Sequence, residues 1–191
     1  LPLGADVISA EPKRYDKMRL LYVGTFVHRE MEKTVEGVAR FLAVNPNTIE
    51  CYDIVGTGSA KDVKRIEDTV QTFGLQNVVR LHGYVPQSQL HPFFDHANIG
   101  VTFVPIKPWY QHQPPTKALE YEASGLYGIL TATQANNELH SNGIGDELCL
   151  DTAEAFAEAL QKLHSRFNQN RPATHVTSWK EIADVVRGLV G

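Results

Sequence analysis

The sequence predicts an α/β fold: a parallel sheet of about six strands with helices on both faces. Three observations lead there. Short runs rich in Val, Ile, Leu and Tyr alternate in strict order with longer stretches of helical periodicity. Glycine or proline follows most of the strand-like runs, where the chain must turn. The intervening stretches are long enough for the crossovers that parallel strands require. A composition of 42% hydrophobic and 21% charged residues supplies an ordinary buried core.

Residues 1–18 lack periodicity and read as a linker segment, which leaves 19–191 as the folded domain with a closing helix. Arg19-Leu20-Leu21-Tyr22-Val23-Gly24 is the first strand. A helix is expected over 30–43, because Val35, Val38, Ala39 and Leu42 share one face. The second strand, 49–55, closes on Gly56-Thr57-Gly58. A second helix runs from Ala60 to about Phe73 and stops at Gly74. A third strand is expected over 78–83, a short helix over 86–95, and a fourth strand over 99–104, ended by Pro105.

Pro114 and Pro115 then break the chain, and Thr116 is expected to cap a helix that ends at Gly125. Ile129 and Leu130 mark a fifth strand. The stretch from Asn136-Asn137 to Asn142-Gly143-Ile144-Gly145-Asp146 reads as a loop. Glu147 to Leu150 is a short strand, and Asp151-Thr152-Ala153-Glu154 has the form of a capping box with Asp151 in the cap. Behind it Ala153, Phe156, Ala157, Leu160, Leu163 and Phe167 form an apolar stripe of helical period. A last helix is expected over 179–189.

Composition excludes several classes. Net charge is −4 with no basic run, which argues against nucleic acid as a partner. No apolar run is long enough for a transmembrane helix. Residue 1 is Leu and no leader pattern follows, so the chain is expected to be a piece of a longer protein. Cys51 and Cys149 sit in apolar runs and read as buried free thiols, which fits a reducing cytosol. There is no G-x-x-x-x-G-K-[ST] loop, no G-x-G-x-x-G after the first strand and no G-x-S-x-G elbow. The histidines are scattered; His28 and His82 could each act as a base, but lone histidines are more often structural or solvated.

In a parallel sheet the ligand sits beyond the carboxyl ends of the strands. Four loops lie there: Gly24-Thr25-Phe26, Gly56-Thr57-Gly58-Ser59, Gly83-Tyr84-Val85-Pro86 and 106–116. Lys117, Glu120 and Ser124, spaced i, i+3, i+7, share one face of the helix that follows. A polar face at a helix start suits anions and ribose. On spacing alone the same pair reads equally as a solvated ion pair on a surface helix.

The ordered set of short motifs resembles the C-terminal, nucleotide-binding domain of GT-B glycosyltransferases, close to retaining family 4, the glycosyl transferases group 1. The matching segments are Leu1-Pro2-Leu3-Gly4-Ala5-Asp6, Leu21-Tyr22-Val23-Gly24, Tyr52-Asp53-Ile54-Val55-Gly56-Thr57-Gly58 and Val79-Arg80-Leu81-His82-Gly83-Tyr84-Val85-Pro86. Pro115-Thr116-Lys117-Ala118-Leu119-Glu120-Tyr121 with Ala123-Ser124-Gly125 is the most diagnostic, and Ser178-Trp179-Lys180-Glu181 resembles the closing helix. The resemblance implies a Rossmann-like domain forming one half of a GT-B fold.

It also implies roles. Glu120 would accept hydrogen bonds from the donor ribose, as a carboxylate accepts twice and donates nothing. Gly24, Thr25 and the turn holding Thr116 would offer amides to the diphosphate, with Lys117 a nearby cation. Tyr84 and Val85 would border the base, and Gly56, Gly58 and Leu119 complete the donor-binding set. Three positions depart from the pattern. Thr25 replaces the usual arginine, leaving Arg29 as the nearest cation. His112 stands where relatives have a glutamate that contacts the donor sugar. Tyr127-Gly128 replaces a common proline-valine.

The implied activity is sugar transfer from a nucleotide sugar, such as a UDP- or GDP-sugar, to an acceptor, without a metal. The acceptor site and any general base would belong to an N-terminal domain outside this chain, which could also make peripheral membrane contact. No catalytic residue is assigned here, and this chain alone is expected to be inactive. Two alternatives stay open: a nucleotide-sugar epimerase of the same architecture, which the Pro-x-Lys-x-x-x-Glu arrangement fits poorly, and a degenerate nucleotide-binding scaffold, which Thr25 and His112 favour.

Overall fold

The computed structural model describes residues 3–13, 15–113, 115–168 and 176–190. Its sheet has six parallel strands in the order β3-β2-β1-β4-β5-β6. They are β1 (Met18–Val23), β2 (Ile49–Val55), β3 (Val79–Gly83), β4 (Ile99–Thr102), β5 (Tyr127–Thr131) and β6 (Glu147–Cys149). The helices are α1 (Glu32–Val44), α2 (Ala60–Thr72), α3 (His91–His96), α4 (Thr116–Ala123), α5 (Gln134–Ser141), α6 (Ala153–His164) and α7 (Trp179–Val190). From β1 the chain winds outward through β2 and β3, then returns to β4 on the other side of β1. The switch point of the sheet therefore lies between β1 and β4, which pair at Leu20–Ile99 and Leu21–Gly100.

Side chains alternate across the pleat and divide the core. Leu20, Tyr22, Tyr52, Ile54, Ile99 and Val101 pack beneath α1, α2 and α6 with Val35, Phe41, Ile66 and Phe156. Leu21 and Val55 face the opposite layer, under Phe94 of α3 and Tyr121 of α4. Gly100 is required there: a Cβ would lie 2.3 Å from the Tyr121 ring, so only glycine lets α4 settle on β4. The Tyr121 hydroxyl in turn accepts from the Val23 N–H at 2.9 Å, which ties α4 to β1.

Several expectations need correction. The Asn-rich stretch expected as a loop holds α5. Thr133 caps it by accepting from Asn136 N, and the buried Asn136 carboxamide donates to the Thr131 carbonyl at 2.7 Å. Those two contacts outweigh the weak helix propensity of asparagine. Thr116 is not a cap; Pro115 holds that position and Thr116 is the first helical residue. Thr152, not Asp151, caps α6. The helix expected over 86–95 is a 3-10 turn (Gln87–Gln89) followed by α3.

Ser124, expected on the open polar face, is buried and accepts from Ile8 N and Ser9 N. The segment before β1 has no helix or strand among its described residues but packs on the domain: Ala5 and Ser9 are buried, and Ala5 N donates to the Thr177 carbonyl. Cys51 and Cys149 are free and buried, and burial pushes both thiols up to about 12. They are unreactive packing groups.

Candidate functional site

A groove of about 150 Å³ opens at the switch point. The end of β1 contributes Tyr22, Gly24 and Thr25, the loop behind it Arg29, the end of β4 Thr102 and Val104, and the start of α4 Pro115, Thr116 and Lys117. Local chemistry explains each placement. The Tyr22 hydroxyl donates to the Thr25 carbonyl at 2.7 Å and holds the turn after β1. Burial keeps the phenols of Tyr22 and Tyr121 protonated far above the ordinary range, so both serve as neutral hydrogen-bonding struts.

The glycine pair after β2 holds this rim together from behind. At Gly56 the φ is 144° and a Cβ would lie 1.7 Å from the Gly24 carbonyl. A Cβ at Gly58 would meet Phe26 at 2.8 Å. Phe26 N donates to the Thr57 carbonyl at 2.8 Å, completing the brace. Gly56 and Gly58 therefore act through loop packing, and neither lines the groove.

Arg29 sits between two residues in the left-handed region, His28 at φ 55° and Glu30 at φ 53°. Its guanidinium lies 4.5 Å over the Tyr110 ring, a cation–π contact that fixes a long side chain at the groove wall. At the start of α4 Lys117 lines the groove; its ammonium bonds to the carboxylate of Glu120, which does not line it, and also donates to Gln87 Oε1 at 3.1 Å. Only 12% of the Glu120 side chain is exposed, which separates this pair from a solvated surface bridge. The groove is thus lined by two cations, Arg29 and Lys117, and by the first turn of α4, where backbone amides lack partners within the helix.

Not every expected residue reaches it. The Leu119 side chain is buried with Leu130 and Ile144. Tyr84 is 74% exposed after Gly83, and Val85 packs on the Leu90–Phe94 cluster. His112 is exposed on the loop before α4 and does not line the groove. His82 is bound to Asp53 at 2.6 Å and packs edge-on against Phe93, away from the groove.

Sequence reasoning missed Tyr22, Thr102, Tyr110 and Gln87. It also missed the buried Glu122, whose carboxylate accepts from Gly145 N at 3.0 Å and fixes the turn into β6. Strand alternation could have flagged Tyr22; nothing in the sequence pairs Tyr110 with Arg29. Among the described residues no group of three or more His, Cys, Asp or Glu could hold a metal ion. No helix among them is long and apolar enough to cross a membrane.

The family model for "Glycosyl transferases group 1" matches residues 17–166. No curated protein matches the chain. Solved structures share the fold. Sucrose-phosphate synthase from Thermosynechococcus elongatus is 24% identical with a TM-score of 0.65, covering 92% of this chain and 46% of its own. Anabaena HepE, solved with UDP and glucose, is 12% identical with a TM-score of 0.66, over 92% of this chain and 48% of its own. The C-terminal domain of a glycosyl transferase group 1 family protein (LpcC) from Francisella tularensis is 18% identical with a TM-score of 0.65, over 87% and 94%. The chain spans about half the length of the first two and nearly all of the third.

Proposed function

Because this chain belongs to the glycosyl transferases group 1 and folds as a GT-B glycosyltransferase domain does, we propose that its groove binds the diphosphate of a nucleotide-sugar donor. The observation that carries this is that Arg29, Lys117 and the first turn of α4 line one groove. Cations and free amides converge where a diphosphate gains charge as the sugar leaves, so they stabilise the transition state more than the ground state. Glu120 accepts from the ribose hydroxyls, and Lys117 shifts from Glu120 to a phosphate oxygen when the donor arrives. Tyr84 and Val85 border the base.

In this reading the enzyme is a family 4 transferase at work in the cytoplasm. It needs no metal, since protein cations neutralise the leaving group. The acceptor is held by a separate N-terminal domain. A uridine donor is favoured by two neighbours of this fold, HepE solved with UDP and glucose and the pneumococcal transferase GtfA solved with UDP and GlcNAc. Calorimetric titration with UDP, GDP and ADP tests the reading. Saturable binding of UDP is expected, and failure of all three to bind overturns it. One observation favours a second reading, a degenerate nucleotide-binding scaffold: Thr25 and His112 stand in place of a usual cation and a usual carboxylate. That reading requires UDP binding without transfer in the complete protein.

A further inference from the structure

A second concave site lies on the far side of Arg29. Its volume is about 380 Å³, within the ordinary range of small-molecule sites. Its aromatic wall is Trp109 and Tyr110, and its polar rim includes His28, Arg65 and Lys107. Trp109 is 64% exposed, an unusual state for the largest apolar side chain inside a concavity. Tyr110 beside it is held by the Arg29 guanidinium. Arg29 therefore forms the partition between this pocket and the phosphate groove, lining one and clamping the wall of the other.

The two aromatic planes meet at 62° with centroids 6.1 Å apart. Inclined faces do not sandwich a flat base. They do suit a puckered ring, whose axial C–H groups can rest on the indole while an edge meets the phenol. The charges at the rim are mostly committed. Glu30 binds Lys33 at 2.5 Å, and Arg65 binds Asp62 at 2.7 Å and Glu32 at 3.4 Å. Lys107 has no carboxylate partner among the described residues. A single uncommitted ammonium above an aromatic shelf is an arrangement for a saccharide that carries one anionic group.

We infer that this pocket binds a pyranose bearing a phosphate ester or a carboxylate, with Trp109 under the sugar ring and Lys107 on the anion. The site is separate from the groove, so its test uses no nucleotide and stands or falls apart from the donor reading. The chain has two tryptophans, Trp109 and Trp179, so Trp179→Phe leaves Trp109 as sole reporter. Its fluorescence should respond saturably to millimolar glucose 6-phosphate and glucuronate. Glucose should bind about tenfold more weakly, and inorganic phosphate should leave the indole signal unchanged. Phosphate matching glucose 6-phosphate would mark a bare anion site and overturn the inference.

Measured by calorimetry, Trp109→Ala should lose about tenfold or more in affinity for glucose 6-phosphate, while Trp109→Phe retains part of it. Lys107→Ala should erase the preference for charged over neutral sugar. Absence of any saturable response, equal binding of glucose, or uridine competing as well as the sugar phosphate would each overturn the inference. So would a folded Trp109→Ala chain with full affinity.

Discussion

The Asp151 carboxylate accepts a hydrogen bond at 2.9 Å from the backbone N–H of Ile106, across 45 residues of chain. Thr152 takes the capping role beside it. Asp151 is thereby free to pin the loop that carries Trp109 and Tyr110, the aromatic wall between β4 and α4. Its main-chain carbonyl accepts from Lys33 Nζ at 2.9 Å, which ties the same corner to α1.

Asp151→Ala should therefore leave α6 intact and loosen the loop. A hydrogen bond to a charged group contributes roughly 1.5–3 kcal/mol, so amide exchange at Ile106 should rise by about tenfold or more. Helix content by circular dichroism should stay constant. Unchanged exchange at Ile106 would mean that the loop is held by its own turns.

Glu120→Gln should keep the fold and weaken UDP by roughly 1.5–3 kcal/mol. The nearly buried carboxylate and its Lys117 partner motivate this. Affinity within twofold of the parent, measured by calorimetry, would remove Glu120 from the ribose site.

Arg29→Ala should weaken UDP more than uridine, since uridine has no phosphates to lose contact with. Tyr110→Ala should reproduce part of that effect by removing the ring under the guanidinium. Both losses should shrink as salt rises, because charges at a half-open site are screened over about 8–10 Å. Equal losses for UDP and uridine would reject the phosphate role.

Phe156→Ala should destabilise the domain by about 3–5 kcal/mol. Its side chain is fully buried between α1 and the sheet and meets Phe103 edge-on at 6.1 Å. Urea denaturation of parent and variant reads the difference directly; coincident midpoints would contradict this packing.

Asp62 provides a pH test. The Ser59 hydroxyl, and after it Arg65, hold its carboxyl below the ordinary value of 3.8. A folded value below the unfolded one stabilises the fold above pH 3.8, and the contribution fades as pH falls through the folded value. Asp62→Asn should accordingly lower the melting temperature at pH 6, and its gap to the parent should narrow below about pH 4. A constant gap across that range would mean that the charge contributes nothing.

The sequence by itself determined the order of the strands, the parallel sheet and the rim on which a ligand would sit. Those follow from local rules: period 2 or 3.6 in apolar residues, glycines at turns, and the crossovers that parallel strands need. The family likeness was also legible, because Pro115-Thr116-Lys117 and Glu120 lie within one short segment. Contacts between distant segments were decided only by the tertiary structure. Arg29 over Tyr110, Asp151 on Ile106 and the burial of Ser124 beneath Ile8 and Ser9 join residues far apart in the chain. The α5 helix was hidden for a related reason: its asparagines oppose helix locally, and the buried bond from Asn136 to Thr131 exists only once β5 is in place. Sequence period reports which face of an element is apolar. It does not report which polar group will find a partner across the fold, because that depends on how the layers close.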